Sequence, residues 1–322
     1  MTAIRAAAIS NDPVAEQGAN ECLLGGGTAL GAALAGFFAS AGANSSVLLG
    51  PISILVAGVG SGVRAFDGRL RQPGLGVKRP RGFRDEDPVP DAAYVAVPNA
   101  MSAVAVALAY DEDRSLSSVV RYGIANAQRV GADARAEQLK VVRGMGAAAF
   151  SDPMFLRPLM HVAGPSEGGN LTPNDFSAVP TDVDVEATAH PESSDWFEVP
   201  WAAGGAAPTA RDLGGQMVII AFDTRGCAAG ISYLRAKDGI SLDSIELEAP
   251  RAAVPVLRGV TRFAPGERIA YPASMAIRVE AGRPTTIIAS PGSPRLGQSE
   301  LDGPQLSLGR ANSSRLVTIG RR

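Results

Sequence analysis

One stretch of the sequence, Cys22 to Val63, runs for 42 residues without a charged side chain and lies between Glu21 and Arg64. Such a stretch either crosses a membrane or lies in a protein core. A transmembrane helix needs about 20 predominantly apolar residues. The first half of this run is instead interrupted by glycine, serine and threonine, and no basic cluster flanks it to set an orientation. We therefore predict that it is buried within the protein.

The two halves of the run predict different elements. Leu30, Leu34, Phe37 and Phe38 recur at helical spacing, which predicts a helix with an apolar stripe. The second half reads ISILVA, then GVGSG, then VRAF. A β-rich run, a glycine turn and a returning β-rich run are typical of a hairpin. The absence of charge is then explained by a buried helix followed by a buried hairpin.

The composition excludes several classes of protein. With 30 basic and 32 acidic residues and 5% aromatics, the chain lacks the basic surface of a nucleic-acid-binding protein. Two cysteines, Cys22 and Cys227, cannot build a disulfide framework, and free thiols are typical of a reducing compartment. The N-terminal residues lack the apolar segment of a signal peptide. We expect a cytoplasmic protein without membrane or nucleic-acid partners.

Farther along, the pattern predicts helices first and strands afterwards. We expect a strand that stops at Pro98, a helix after it, a second helix capped by Ser115, and a third over Ala132 to Phe150. Thr172 and Asp175 have the spacing of a capping box. Beyond that point the chain alternates as hairpins, among them MVIIAFDTRGCAAGISYL and MAIRVEAGRPTTIIA. This order predicts an α+β fold with antiparallel sheets.

Several short motifs follow the order of one known family. They are AAAISNDPVAEQGANECLLGGGTALGAALAGFF, AFDGRLRQP, VAVPNAMSAVAVALAY, GGNLTPNDFSAV, VIIAFDTRGCAAGISY and FAPGERIAYPASMAIRVEAGRPTTIIASPGSP. In these segments the chain resembles the gamma-glutamyltransferase family of N-terminal-nucleophile hydrolases. The resemblance implies a four-layer αββα sandwich with two mainly antiparallel sheets. It also implies one domain over 1–322, with a large-subunit-like part (1–200), a small-residue linker in place of the cleavage region (201–215) and a small-subunit-like part (216–322).

The chain departs from this family at its catalytic centre. Family members cleave themselves and free a threonine whose own amine acts as base for its hydroxyl. By the resemblance that position falls on Gln216, a supporting threonine on Leu234 and a nearby asparagine on Ala236. None of the three carries the family's side chain. The resemblance therefore implies a divergent, truncated member that lacks the catalytic threonine and classical acyl transfer.

Other positions of the family's site keep a usable side chain. The resemblance places Arg69 where the substrate's carboxylate is held, and a guanidinium can bind a carboxylate through two hydrogen bonds. Ser274, Gly292 and Ser293 fall where an anion or carbonyl oxygen is bound. We add Ser232 and Tyr233 to this candidate substrate-binding group. The alternative is that Arg69 is a surface arginine and the serines and glycine are ordinary turn residues.

Few other residues could carry chemistry. Cleavage before Thr209 could free a new threonine nucleophile, but the residue lies seven positions before Gln216 and follows a proline. We expect Cys22 and Cys227 to be inert thiols. The only histidines, His161 and His190, have no second histidine or cysteine nearby to build a zinc site. We therefore expect no metal and no cofactor.

Three functions remain open. The first is a non-catalytic binding protein or a partner subunit of an active enzyme. The second is an enzyme that uses the remodelled pocket for amide hydrolysis, transfer or cyclisation on a small carboxylate-bearing substrate. The third is an interaction module that docks through the basic and acidic patches between Lys78 and Asp87. Because the chain lacks a helical segment of the family, we expect a homodimer or a heteromer with another protein.

Overall fold

The structure is a computed structural model that describes most of the 322 residues. For 317–320 it describes the backbone alone. The described ranges are 6–58, 60–78, 82–84, 86–111, 115–177, 183–191, 193–201, 215–259, 263–293, 295–302 and 317–320.

The uncharged run forms the predicted helix and hairpin. Strand β1 (Ala7–Ser10) and helix α1 (Pro13–Leu24) precede it, and helix α2 (Ala29–Ala43) occupies its first half. Strands β2 (Ile52–Ala57) and β3 (Val63–Gly68) pair antiparallel in its second half. Within the described part of the chain, no helix is both long and apolar enough to cross a membrane.

The remaining helices largely follow the predictions. Ser115 caps α4 by accepting a hydrogen bond from the Ser118 amide, and Thr172 and Asp175 form the predicted capping box. The strand predicted before Pro98 is wrong, because this segment makes only isolated bridges to Arg71 and Arg251. The helices are α3 (Ala100–Ala109), α4 (Leu116–Arg129), α5 (Asp133–Met145), α6 (Pro153–Ala163) and the short α7 (Gln298–Leu301).

The strands form two large antiparallel sheets and a two-stranded ribbon. Sheet I has the order β1-β7-β8-β2-β3-β4, sheet II the order β13-β12-β11-β6-β5, and β9 pairs with β10. Both sheets combine strands from the two parts of the chain that flank the linker. The further strands are β4 (Asp184–Glu186), β5 (Thr188–His190), β6 (Ser193–Glu198), β7 (Gly215–Phe222), β8 (Ala228–Arg235), β9 (Ile240–Leu242), β10 (Leu247–Ala249), β11 (Met275–Glu280), β12 (Arg283–Ala289) and β13 (Val317–Gly320).

The layers follow from the alternation of side chains along the strands of sheet I. One face, with Ile54 and Ile219, packs in one core against helices α1 to α6. The other face, with Leu55 and Val218, packs against Ile277 and its neighbours in sheet II. The fold is therefore an α+β arrangement of a helical layer and two stacked antiparallel sheets, as predicted. Over the outer face of sheet II, the described residues place the short helix α7.

Candidate functional site

Gln216, at the predicted nucleophile position, is the second residue of β7 and faces sheet II. Its side-chain amide is fully engaged. Nε2 donates to Ser232 Oγ at 2.7 Å and to the carbonyl oxygen of Pro272 at 2.8 Å, and Oε1 accepts from the Gly292 amide at 2.6 Å. Gln216 is only 8% exposed. The side chain therefore fills the position and ties both sheets together there.

Ser232 and Tyr271 form a buried hydroxyl pair beside Gln216. Their oxygens are 3.5 Å apart, and both residues are buried. Burial raises the pKa of Tyr271, and this outweighs the opposite effect of its hydrogen bond with Ser232. At neutral pH Tyr271 is protonated and cannot serve as a base. Ser232 accepts from Gln216, and neither of its hydrogen-bond partners among the described residues, Gln216 and Tyr271, is a base at neutral pH.

The turn from Ser290 to Ser293 presents the Gly292 amide to Gln216. The Ser293 amide bonds the Ser290 carbonyl at 3.2 Å, and Gly292 has a φ of 83°. Proline followed by a glycine at positive φ is the signature of a type II turn. Ser274 Oγ donates to the Ser293 carbonyl, and Ser293 Oγ donates to the Arg295 carbonyl at 2.7 Å. Both serine hydroxyls thus stabilise this turn.

A second polar group surrounds Asp67 at the end of β3. Arg69 donates to both carboxylate oxygens of Asp67, with a shortest distance of 2.7 Å. Arg268 Nε lies 3.3 Å from the same carboxylate. The Arg69 guanidinium also lies 5.0 Å from the ring centre of Trp201, which is a cation–π distance. We call Asp67, Arg69, Arg268 and Trp201 the Asp67 group.

The two polar groups meet on the inner face of sheet I. Ser53 of β2 pairs directly with Ser232 of β8 on one side and with Asp67 of β3 on the other. Directly opposite residues on neighbouring strands share a face and lie about 5 Å apart. Trp201 Nε1 donates to Ser53 Oγ at 2.9 Å. The structure therefore brings Gln216, Ser232 and the Gly292 turn into one region with Arg69.

Tyr233 is separated from this region. Its ring lies on the helical side of sheet I, 5.6 Å from that of Phe37, and its hydroxyl donates to Asp12 at 2.9 Å. Burial raises the pKa of Tyr233 well above its usual value. Leu234, in contrast, lies directly opposite Gln216 and is a buried apolar residue. Leu234 therefore has no hydroxyl that could take the place of the family's supporting threonine.

The other candidates lie elsewhere. Thr209 and most of the linker 201–215 lie outside the described residues, as do Arg79, Arg81 and Asp85 of the charge patches. Cys22 is buried near the end of α1, and His190 is buried with Nε2 3.1 Å from the Leu296 carbonyl. In the part of the chain with described positions, no cluster of three or more His, Cys, Asp or Glu side chains could hold a metal.

Asp67, Arg268, Tyr271, Trp201 and Ser53 were not among the predicted site residues. A signal existed for three of them. Asp67 lies in the AFDGRLRQP motif, and Arg268 and Tyr271 lie in the FAPGERIAYPASM motif. The other two, Ser53 and Trp201, depend on the pairing of β2 with β8 and on the position of the linker. A short sequence motif cannot predict such contacts between distant segments.

Neither a protein-family model nor a curated protein matches this sequence. Among solved structures, cephalosporin acylase from Bacillus halodurans is similar with a TM-score of 0.68 at 14% identity, over 89% of this chain and 77% of that chain. A LmbA2991 variant is similar with a TM-score of 0.61 at 16% identity, over 91% of this chain and 80% of that chain. At such identities the likeness shows the fold. The chain therefore shares its fold with these two solved structures.

Proposed function

We propose that the chain is a binding protein or partner subunit built on this fold, without classical acyl-transfer activity. The observation that supports the proposal is that hydrogen bonds hold both polar atoms of the Gln216 side chain. A carboxamide is neither a nucleophile nor a base at neutral pH, and its nitrogen and oxygen are both held by hydrogen bonds. Residue 216 therefore offers no group that could attack a carbonyl carbon.

The Gly292 amide adds a second argument against acyl transfer. An oxyanion hole needs preorganised donors that are available when negative charge develops on the substrate. The Gly292 N–H, which the resemblance assigns to that role, already donates to Gln216 Oε1 at 2.6 Å. A substrate oxygen would have to displace the Gln216 side chain to reach it. The side-chain oxygen of Gln216 therefore occupies the place where a substrate oxyanion would bind.

The Asp67 group supports a carboxylate-bearing ligand. Two guanidinium groups, Arg69 and Arg268, both contact the carboxylate of Asp67, so they lie side by side. Their side chains are 17% and 15% exposed, so both remain in reach of solvent. A guanidinium has more donors than one carboxylate can use. A small carboxylate could therefore bind beside Asp67.

Binding of glutarate, compared with its neutral diamide glutaramide, tests this part of the proposal. Calorimetry should show saturable binding of glutarate and binding of glutaramide at least about tenfold weaker. Arg69→Gln should weaken glutarate binding by a similar factor, while Arg283→Gln, at an exposed position of β12, should leave it unchanged. Equal binding of the two compounds, or no effect of the Arg69 substitution, would refute a carboxylate site here.

The second candidate function is an enzyme with relocated chemistry. The adjacent hydroxyls of Ser232 and Tyr271, 3.5 Å apart, favour it. The burial that keeps Tyr271 protonated argues against an activated serine. Ammonia release from glutaramide above the uncatalysed rate, lost in Ser232→Ala, would establish this function in place of the first.

We also propose that the protein is an oligomer with a four-layer architecture. A homodimer or heteromer is supported by large apolar side chains exposed at or near helix ends, such as Leu24, Val130 and Met145. Light scattering should then give a mass above 33.0 kDa for the purified chain or for its complex. A four-layer αββα sandwich is supported by the packing of Leu296 and Leu301 on sheet II. A single domain and a cytoplasmic location remain part of the proposal.

A further inference from the structure

A cavity of about 480 Å³ lies at the opposite end of sheet I from Gln216. It is bounded by the start of α2, the turn between β2 and β3, and the turn between β7 and β8. Its apolar wall includes Leu30, Val56 and Phe66, and its polar wall includes Asp111 and Asp223. The volume is typical of small-molecule sites. Gln216 and Phe222, at this end, are six positions apart along β7, a span of about 20 Å.

Asp111 is the unusual residue of this cavity. It is only 9% exposed, and its Oδ2 accepts a hydrogen bond from the Thr28 hydroxyl. Thr28 is itself the N-cap of α2. Among the described residues, Asp111 forms no ion pair, and Oδ1 accepts no hydrogen bond. Burying a carboxylate without a cation is costly. Within the described part of the chain, no cation is paired with this acidic group of the cavity.

The other charged groups do not supply that cation. The Arg64 guanidinium lines the cavity but pairs with Asp184 at 2.6 Å and lies 3.9 Å from Glu186. Asp223 accepts four backbone N–H groups. Among the described residues, neither Arg64 nor the exposed Arg225 forms an ion pair with Asp111, although both line the cavity. The Asp111 carboxylate is therefore available to a bound cation.

We propose that this cavity binds a small organic ammonium ion, with the ammonium group at Asp111 Oδ1 and the apolar part against Leu30, Val56 and Phe66. An ammonium ion is a donor of three hydrogen bonds without an acceptor, which suits a carboxylate oxygen that has no donor. The apolar wall favours an occupant with an apolar part over a simple metal ion, which needs oxygen ligands on several sides. The site is independent of the Gln216 region and of the function proposed for it.

Three matched probes test the chemistry of the cavity. Phenethylammonium, phenethyl alcohol and phenylpropanoate share an aromatic tail and differ in the charge of the head group. Calorimetry on the full chain should show saturable binding of the ammonium ion, with the alcohol at least about tenfold weaker and the carboxylate weaker still. Equal binding of the alcohol, or no saturable binding of phenethylammonium up to about 10 mM, would overturn the proposal.

Two variants locate the binding. Asp111→Asn keeps the shape and a partner for Thr28 but removes the charge, and it should weaken phenethylammonium binding about tenfold or more. Asp238→Asn is the matched control, since Asp238 is exposed beyond the far end of β8. It should leave the affinity unchanged. Equal affinity of the Asp111→Asn variant and the unmodified chain would contradict the assignment.

Cys227 provides a readout on the unmodified chain. It lines the cavity and is partly exposed, whereas Cys22 is buried in α1. Phenethylammonium should slow the alkylation of Cys227 by iodoacetamide severalfold, and phenylpropanoate should not. An alkylation rate that is unaffected by saturating phenethylammonium would place the binding outside this cavity and refute the proposal even if Asp111→Asn fails to fold.

Discussion

At the scale of single residues, the proposed function depends on Gln216. The family resemblance leads to position 216, and the sequence shows that it carries no nucleophile. Only the structure shows that the amide is bonded to Ser232, Pro272 and Gly292 at once. Those three partners come from β8 and from segments that flank sheet II. Because these segments are distant along the chain, no short sequence motif predicts the hydrogen bonds between them.

Gln216→Ala should lower the free energy of unfolding by about 2–4 kcal/mol, because the buried groups of Ser232, Pro272 and Gly292 each lose a hydrogen bond. Urea unfolding followed by fluorescence measures this. Gln17→Ala is the control: Gln17 is an exposed residue of α1 that bonds only Glu21, and its loss should stay within about 0.5 kcal/mol. Similar losses in both variants would show that the buried amide has no special role.

Grouping Tyr233 with Ser232 in one binding site was an error that the sequence alone could have prevented. Successive residues of a strand face opposite sides of a sheet. Ser232 and Tyr233 are neighbours in β8, so one pocket between the sheets cannot hold both side chains. The structure places Ser232 beside Gln216 and Tyr233 against Phe37. The alternation rule was sufficient to separate them once the strand had been identified.

At the scale of elements, the contact between α2 and α4 explains one glycine of the uncharged run, Gly42. A Cβ atom built on Gly42 would lie 2.0 Å from the Gly123 carbonyl oxygen. Real Cβ atoms do not approach backbone so closely, so the two helices can touch only through glycine. Periodicity and capping residues predicted the helices. They could not show at which glycines two helices approach closely.

Gly42→Ala should therefore destabilise the protein by about 2 kcal/mol or more, because the helices must separate. Gly144→Ala is the matched control in α5, where an added Cβ would meet nothing within 4 Å. There the higher helix propensity of alanine should stabilise the protein by about 0.5–1 kcal/mol. Thermal unfolding compares the two variants. Equal and small effects would show that the α2–α4 contact can relax.

The edge of sheet I contains a pH-sensitive contact between elements. Asp184 of β4 bonds Arg64 of β3 and the Tyr110 hydroxyl. Burial works to raise the pKa of Asp184, but the hydrogen bonds from Arg64 and Tyr110 outweigh it and lower this pKa. A carboxyl whose pKa is lowered by folding stabilises the protein above its ordinary pKa, about 4. That stabilisation is lost as the pH falls through the lower pKa of the folded state.

Asp184→Asn should therefore reduce the acid dependence of stability, measured as the unfolding midpoint in urea between about pH 5 and pH 2. The unmodified chain should lose stability more steeply over this range than the variant. Asp238→Asn, which changes an exposed carboxyl, should keep the steep dependence. Parallel curves for the unmodified chain and Asp184→Asn would show that the contact makes no difference.

At the scale of the whole molecule, the order of motifs was more informative than any single one. It predicted an α+β fold with antiparallel sheets, and the structural likeness to cephalosporin acylase agrees with it. The cavity beside Asp111 could not be predicted in this way. Its walls come from α2, from two turns and from residues around Asp111, which lie far apart in the sequence. Only the assembled layers bring them together.

The central claim is that this fold operates here without the self-cleavage that creates an N-terminal nucleophile. Intact-mass spectrometry of the purified chain after prolonged incubation, with a denaturing gel, tests it most directly. We predict a single species with the full mass of 33.0 kDa. Two stable fragments, the smaller beginning at Thr209 or close to Gln216, would show that the chain activates itself and would contradict the account.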